Sequence, residues 1–150
     1  MNAKTGSVAA ALGGCTVPAV GAPTFLLGEG EIELGVGIHG EAGRECITMK
    51  TTAELAEIFL NAILHRIQPR RSQPLLLMCN GLGVTPPIEL YSFYHAARQH
   101  LDRLCYRVER GRCRQLLHRP RHTGASLTGL DEKTLPLWDA PATTAAFRCN

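Results

Sequence analysis

The sequence predicts an α/β domain built on a mixed or mostly parallel sheet flanked by helices. Three observations carry that prediction. Two segments show helical hydrophobic spacing behind recognisable start signals, Thr51–Ile67 and Thr85–Leu104. Between them Leu75–Cys79 is a continuous apolar run, as in a strand covered on both faces. Ahead of them Glu31–His39 alternates polar or Gly with apolar residues, the period of a half-buried strand. Strands alternating with helices favour parallel pairing across the helical crossovers. The 150 residues amount to about one ordinary domain, and no internal repeat is present.

In order along the chain, Ala9–Val20 is small and Gly-rich and reads as a loop. Phe25-Leu26-Leu27 reads as a short strand, with a turn at Gly28-Glu29-Gly30. In the alternating stretch, Gly35 and Gly37 weaken the strand unless another backbone or a ligand comes close. Thr51-x-x-Glu54 is a capping box, followed by Leu55, Phe59, Ile63 and Ile67 at helical spacing and ended by Pro69. Asn80-Gly81-Leu82-Gly83 is a glycine turn. Thr85 then caps a helix with Pro86 at its first position and an inner stripe of Leu90, Tyr94, Ala97, Leu101 and Leu104. Tyr106–Glu109 and Ala125–Leu130 read as further strands, and the segment holding Pro136 and Pro141 has low regularity.

Composition narrows the function classes. No apolar run exceeds that of Leu75–Cys79, far short of the ~18 residues of a membrane span. Lys4 is the only early charge, and Val8–Leu12 is shorter than a signal-peptide core. A cytoplasmic protein with no membrane partner is expected. Six cysteines are scattered with no CxxC pair, which suits reduced thiols and offers no zinc spacing. The net charge of +3 is lopsided: residues 1–60 carry three basic and seven acidic side chains, residues 61–150 thirteen and six. The basic strip Arg107, Arg110, Arg112, Arg114, Arg119 and Arg121 has only Tyr106 as an aromatic neighbour. It reads as a solvated face, with no nucleic-acid partner.

Two turns offer chemistry. In Gly35-Val36-Gly37-Ile38-His39-Gly40-Glu41 a histidine ends a strand, where function gathers in α/β proteins. His39 is a base, a ligand or a nucleophile by residue type, or a hydrogen-bonded turn histidine. Glu41 either orients its ring or is solvated. In Asn80-Gly81-Leu82-Gly83-x-Thr85 the glycine amides ahead of a helix suit an anion or simply a tight turn. The run is neither a P-loop nor a full GxGxxG.

Taken in order, Cys15-Thr16-Val17-Pro18, Pro23-Thr24-Phe25, Glu33–Glu41, Asn80–Gly83, Glu89-Leu90-Tyr91 and Leu137–Pro141 resemble the K subunit or K domain of dihydroxyacetone (glycerone) kinase. The likeness runs over nearly the whole chain. It implies the C-terminal part of a K module, with residues 1–150 forming a single truncated domain. It also implies that His39 attacks the carbonyl of dihydroxyacetone, or of a similar short-chain ketose or aldose, and holds it as a hemiaminal for phosphoryl transfer. Gly37, Gly40 and Glu41, with Asn80, Gly81 and Gly83, would shape the pocket. No cofactor is expected on this chain: ATP or ADP and Mg²⁺ would sit on an L domain or subunit, held by clustered aspartates. Here Asp102, Asp131 and Asp139 are isolated and no metal site is expected. The acid/base aspartate of the family lies upstream of Met1, so the isolated chain is expected to lack a complete active site. A homodimer is implied for the full-length parent, in glycerol and dihydroxyacetone catabolism. The alternatives are a non-catalytic triose-binding or regulatory K-like protein, and a non-functional truncated gene product.

Some residues depart from the family pattern. Ala42 stands where Pro is usual, and Cys105 where Gly is common. Cys113–His122 departs altogether while both flanks match. Written in synonymous codons as TGT CGG CAA CTA CTG CAC CGC CCT CGA CAT, it becomes Val-Gly-Asn-Tyr-Cys-Thr-Ala-Leu-Asp one base later. Residues 113–122 therefore read as a frameshifted strand and turn, with the frame restored at Gly124, and are expected to lack the β-pattern their position requires.

Overall fold

The capping box forms as its spacing predicts. Thr51 Oγ1 accepts from the Glu54 amide at 3.3 Å, and the Glu54 carboxylate accepts from the Thr51 amide at 2.8 Å. They open helix α1, Thr52–Ile67, in the computed structural model of the chain. The structure describes residues 4–14, 21–37, 42–115, 123–144 and 148–149. Helix α1 buries Ala56, Phe59, Leu60, Ile63 and Ile67 and leaves its course at Gln68 ahead of Pro69. Helix α2, Pro87–Arg103, buries Leu90, Phe93, Ala97 and Leu101. Phe93 meets Phe59 edge-on at 5.2 Å between ring centroids, which locks the two helices side by side. Phe93 takes the inner position expected of Tyr94, and Tyr94 and Leu104 are half-buried.

The sheet has six strands: β1 Thr5–Ala11, β2 Glu31–Leu34, β3 Glu45–Thr48, β4 Leu75–Gly81, β5 Val108–Arg114 and β6 Gly124–Leu130. Their order is β3-β2-β1-β6-β4-β5. The β4–β5 pair, joined through α2, is parallel, and the other neighbours are antiparallel because β6 inserts between β1 and β4. The sheet is thus mixed, with parallel pairing at one crossover. Both long helices lie on one face, sharing a core of Phe59, Ile63, Leu77, Cys79, Leu101 and Leu127. On the other face Leu76 is buried beside the 3-10 turn Glu132–Thr134, and Ala11, Val36 and Leu82 form a small separate cluster.

Several expectations are corrected. The small residues placed in a loop begin as strand β1, paired with β6 along its whole length. Earlier in the same strand Gly6 is small because α1 lies close: a Cβ there would sit 3.2 Å from the Ile63 backbone. Phe25-Leu26-Leu27 is not a strand, and Leu26 is 86% exposed. The alternating strand stops at Leu34, because Gly35 turns to φ +78. Strand β3, Glu-Cys-Ile-Thr, was too polar to signal itself. Thr85 does not cap α2; its N-cap is Pro86, which makes no side-chain cap bond. Strand β5 starts later than expected and runs to Arg114, so Cys113 and Arg114 pair with Cys79 and Asn80. Residues 116–122, the rest of the anomalous stretch, lie outside the described residues.

The tail forms the 3-10 turn, a short α3 at Leu135–Trp138, and a hairpin of β7, Ala142–Thr143, with β8, Arg148–Cys149. Asp139 receives Arg110 through two nitrogens at 2.9 and 3.0 Å, and Trp138 stacks under Arg112 at 4.9 Å. Arg107 pairs with Glu109 at 3.2 Å. Much of the basic strip is therefore committed to protein partners. No helix among the described residues is long and apolar enough to cross a membrane.

Candidate functional site

Register places the sites. Ala11 pairs with Gly124 and Gly81 with Ala125, so β1 and β4 end where β6 begins, and Leu34 at the end of β2 pairs with Ala10. The segments leaving β1 and β4 therefore gather at one end of the sheet, while β2 runs the other way and the segment leaving it turns back beside Ala9. The loop between β2 and β3 is tied at its base. The Arg44 amide donates to the Leu34 carbonyl and the Gly35 amide to the Ala9 carbonyl, each at 2.7 Å. Gly43 admits no Cβ, which would collide with the Leu34 carbonyl. This tied loop carries the His39 motif. His39 itself, with Ile38, Gly40 and Glu41, lies outside the described residues.

A cleft of about 740 Å³ lies on the face of the sheet away from the long helices and reaches Ile58 and Ala62 of α1 past the stretch of β1 that β2 leaves unpaired. Gly35, Val36 and Gly37 line it, together with Asn80 and Leu82 from the β4 end and Ser126 and Thr128 from β6. The structure thus brings two separately predicted segments, those of Gly37 and Asn80, onto one cleft. Asn80 is buried, and its carbonyl accepts from Ser126 Oγ at 3.5 Å. Gly81 turns the other way: a Cβ there would lie 2.8 Å from Leu90 of α2, so its small size serves helix packing. Gly83 stands at φ +147, a conformation suited to glycine, and does not line the cleft.

Ser7, Ser126, Thr128 and Arg44 also line the cleft and were not singled out from the sequence. Ser7 and Thr128 hydroxyls meet at 2.8 Å across β1 and β6. Period 2 within β6 puts Ser126 and Thr128 on one face, but which face is open depends on where α1 packs. Cys79 and Cys46 offer poor nucleophiles. Burial, with Cys113 adjacent, pushes Cys79 far above the ordinary thiol range. Desolvation and the neighbouring Glu31 and Glu33 carboxylates raise Cys46 as well. Among the described residues no group of three or more His, Cys, Asp or Glu could hold a metal ion, and no step here is routed through one.

Comparison with known proteins accords with this architecture. The Dak1 domain family matches residues 1–146. The chain is 34% identical over 173 aligned positions to the dihydroxyacetone-binding subunit DhaK of the PEP-dependent dihydroxyacetone kinase of Escherichia coli K12, covering 98% of this chain and 49% of that subunit. It is 35% identical to the L-erythrulose kinase of Pectobacterium atrosepticum, covering 98% of this chain and 26% of that enzyme. The chain thus spans from about half to about a quarter of these relatives. Among solved structures, the dihydroxyacetone kinase operon co-activator Dha-DhaQ superposes with TM-score 0.83 at 26% identity, over 98% of this chain and 47% of that one. The C. freundii dihydroxyacetone kinase with AMP-PNP and Mg²⁺ shares the fold, with TM-score 0.74 at 23% identity over 97% of this chain and 27% of that one.

Proposed function

The chain belongs to the Dak1 domain family, and from that premise we propose that it is the triose-holding part of a dihydroxyacetone-kinase module. The observation that carries the reading is the shared cleft: the glycine-rich approach to His39 and the wall made by Asn80 and Leu82 line one cavity beside β1. In this reading a neutral imidazole nitrogen of His39 adds to the carbonyl carbon of dihydroxyacetone or a similar short-chain ketose or aldose. The carbonyl oxygen takes a proton and the other ring nitrogen gives up its own, leaving a hemiaminal. A carbonyl is required, so glycerol is excluded by chemistry instead of by size. Tethering the sugar aims a terminal hydroxyl at the phosphoryl donor and removes much of the entropic barrier. The donor, ATP or a phosphocarrier relay through ADP with Mg²⁺, belongs to an L domain or subunit. The full-length parent forms the homodimer, and the setting is cytoplasmic glycerol and dihydroxyacetone catabolism.

Intact-mass measurement with dihydroxyacetone tests this. One added triose is expected in the wild-type protein and none in His39→Ala. An adduct that survives in His39→Ala overturns the assignment of the tether. A second reading, triose binding without turnover in a regulatory protein, is favoured by the structural likeness to an operon co-activator. It predicts the same adduct but no phosphorylation when an L subunit and its donor are added.

A further inference from the structure

Thr85 is 4% exposed, between the β4–α2 turn and the first residue of β6. Its hydroxyl donates to the Gly124 carbonyl at 2.7 Å, and its oxygen accepts from the Gly124 amide at 2.8 Å. The same carbonyl accepts from the Leu82 amide at 3.1 Å, and the Thr123 carbonyl accepts from the Leu12 amide at 2.8 Å. Gly124 has no room for a side chain, because a Cβ would run into the Ala10 carbonyl. One buried hydroxyl thus ties the β4–α2 turn to the start of β6, beside the backbone bond that joins β6 to the end of β1. A threonine just ahead of a helix ordinarily spends its oxygen on the helix amides. Here α2 goes without a side-chain cap, and the bond is made to a segment 39 residues away.

The turn that Thr85 closes contains Gly83 at φ +147, and glycine does little to hold its own conformation. Asn80 and Leu82, on the strand side of that turn, line the cleft opposite Gly35–Gly37. Thr85 does not line that cleft; it lines a separate cavity of about 350 Å³ with Phe59, Leu90 and Gly124 and reaches the wall through Gly124. We infer that Thr85 is a positioning residue for the triose site: its hydroxyl holds the Asn80–Leu82 wall against β6 and so sets ligand affinity without contacting the ligand. This rests on the triose reading above. Positioning of this kind couples two places, so the ligand must in turn steady the clamp.

The test compares Thr85→Val, which keeps shape and loses the hydroxyl, with Thr85→Ser, which keeps the hydroxyl. Each is titrated with dihydroxyacetone by calorimetry and unfolded in urea, beside Ile67→Val, a core change away from the cleft. Thr85→Val, which loses both hydrogen bonds of the hydroxyl to Gly124, should bind at least about tenfold more weakly. Thr85→Ser should bind within about twofold of wild type, and Ile67→Val like wild type despite lost stability. Independently of any variant, hydrogen exchange at the Gly124 amide of the wild-type protein should slow when dihydroxyacetone is added. That measurement decides the matter if Thr85→Val does not fold. Wild-type affinity in a destabilised Thr85→Val, equal losses in Val and Ser, or Gly124 exchange indifferent to the ligand would each overturn the inference. A wild-type protein that binds no triose overturns the functional reading, and this inference with it.

Discussion

Gly6 and Gly129 are register partners on β1 and β6, and both face Ile63 of α1. The pair forms a notch that lets the helix sit close on the sheet. A Cβ at Gly129 would stand 2.6 Å from Ile63 Cγ2, about 1 Å inside an ordinary carbon–carbon contact of ~3.5–4.0 Å. Ile63 is 1% exposed, and a β-branched side chain in a helix is held to one χ1 rotamer, so the methyl cannot swing aside. Gly129→Ala must therefore lift α1 or strain Ile63, at a cost of about 1–3 kcal/mol. The entropy that alanine removes from the unfolded chain returns only about 0.4–1 kcal/mol, so the clash wins. Ile63→Ala should cost about 2–5 kcal/mol through the cavity it leaves. In the double variant the new methyl enters that cavity, so the combined loss should fall short of the sum by about 1–2 kcal/mol. Equilibrium urea unfolding of the four proteins supplies the cycle. Additivity within about 0.5 kcal/mol, or a Gly129→Ala protein as stable as wild type, would refute the notch.

Other consequences are measurable in the same way. Thr51→Ala should cost about 1 kcal/mol by removing the α1 cap. The Thr51 hydroxyl and amide hold the Glu54 carboxyl below its ordinary range, so the stabilisation is complete above that range and lost as pH falls through the lowered value. The gap in melting temperature between wild type and Thr51→Ala should accordingly close in acid. Cys105 occupies the left-handed position (φ +58) of a Schellman ending on α2, where Tyr106 donates to Leu101 and Cys105 to Asp102. Cys105→Gly should raise stability by about 0.5–1 kcal/mol by thermal melting, the relieved strain exceeding the entropy of glycine; a loss would show that the strain is absent. For residues 113–122 we propose the frameshift, and resequencing the DNA through the Gly124 codon should return Val-Gly-Asn-Tyr-type codons. Confirmation of the sequence as written ends that reading.

Much of the architecture was legible because it rests on local signals. Thr51 and Glu54 at capping-box spacing, the helical repeat of Phe59, Ile63 and Ile67, and the apolar run at Leu75 each state their structure within a few residues. The departure at Cys105 was likewise visible as a missing glycine, and the positive φ supplies its reason. Strand β1 was not legible. Its small residues carry no strong hydrophobic face of their own, and Gly6 makes sense only once α1 is pressed against it.

The site divides along the same line. Glycine-rich turns next to His39 and at Asn80–Gly83 could be found from residue type, since only particular residues fit such turns. Which residues face the cleft could not be found that way. Period 2 says that Ser126 and Thr128 share a side, and Gly81 and Asn80 do not, but which side both helices cover is decided by their packing on the sheet. That choice puts Asn80 on the cleft and Gly81 under Leu90. It also takes Thr85 from its helix to Gly124, because a buried amide and carbonyl need partners more than an exposed helix end does.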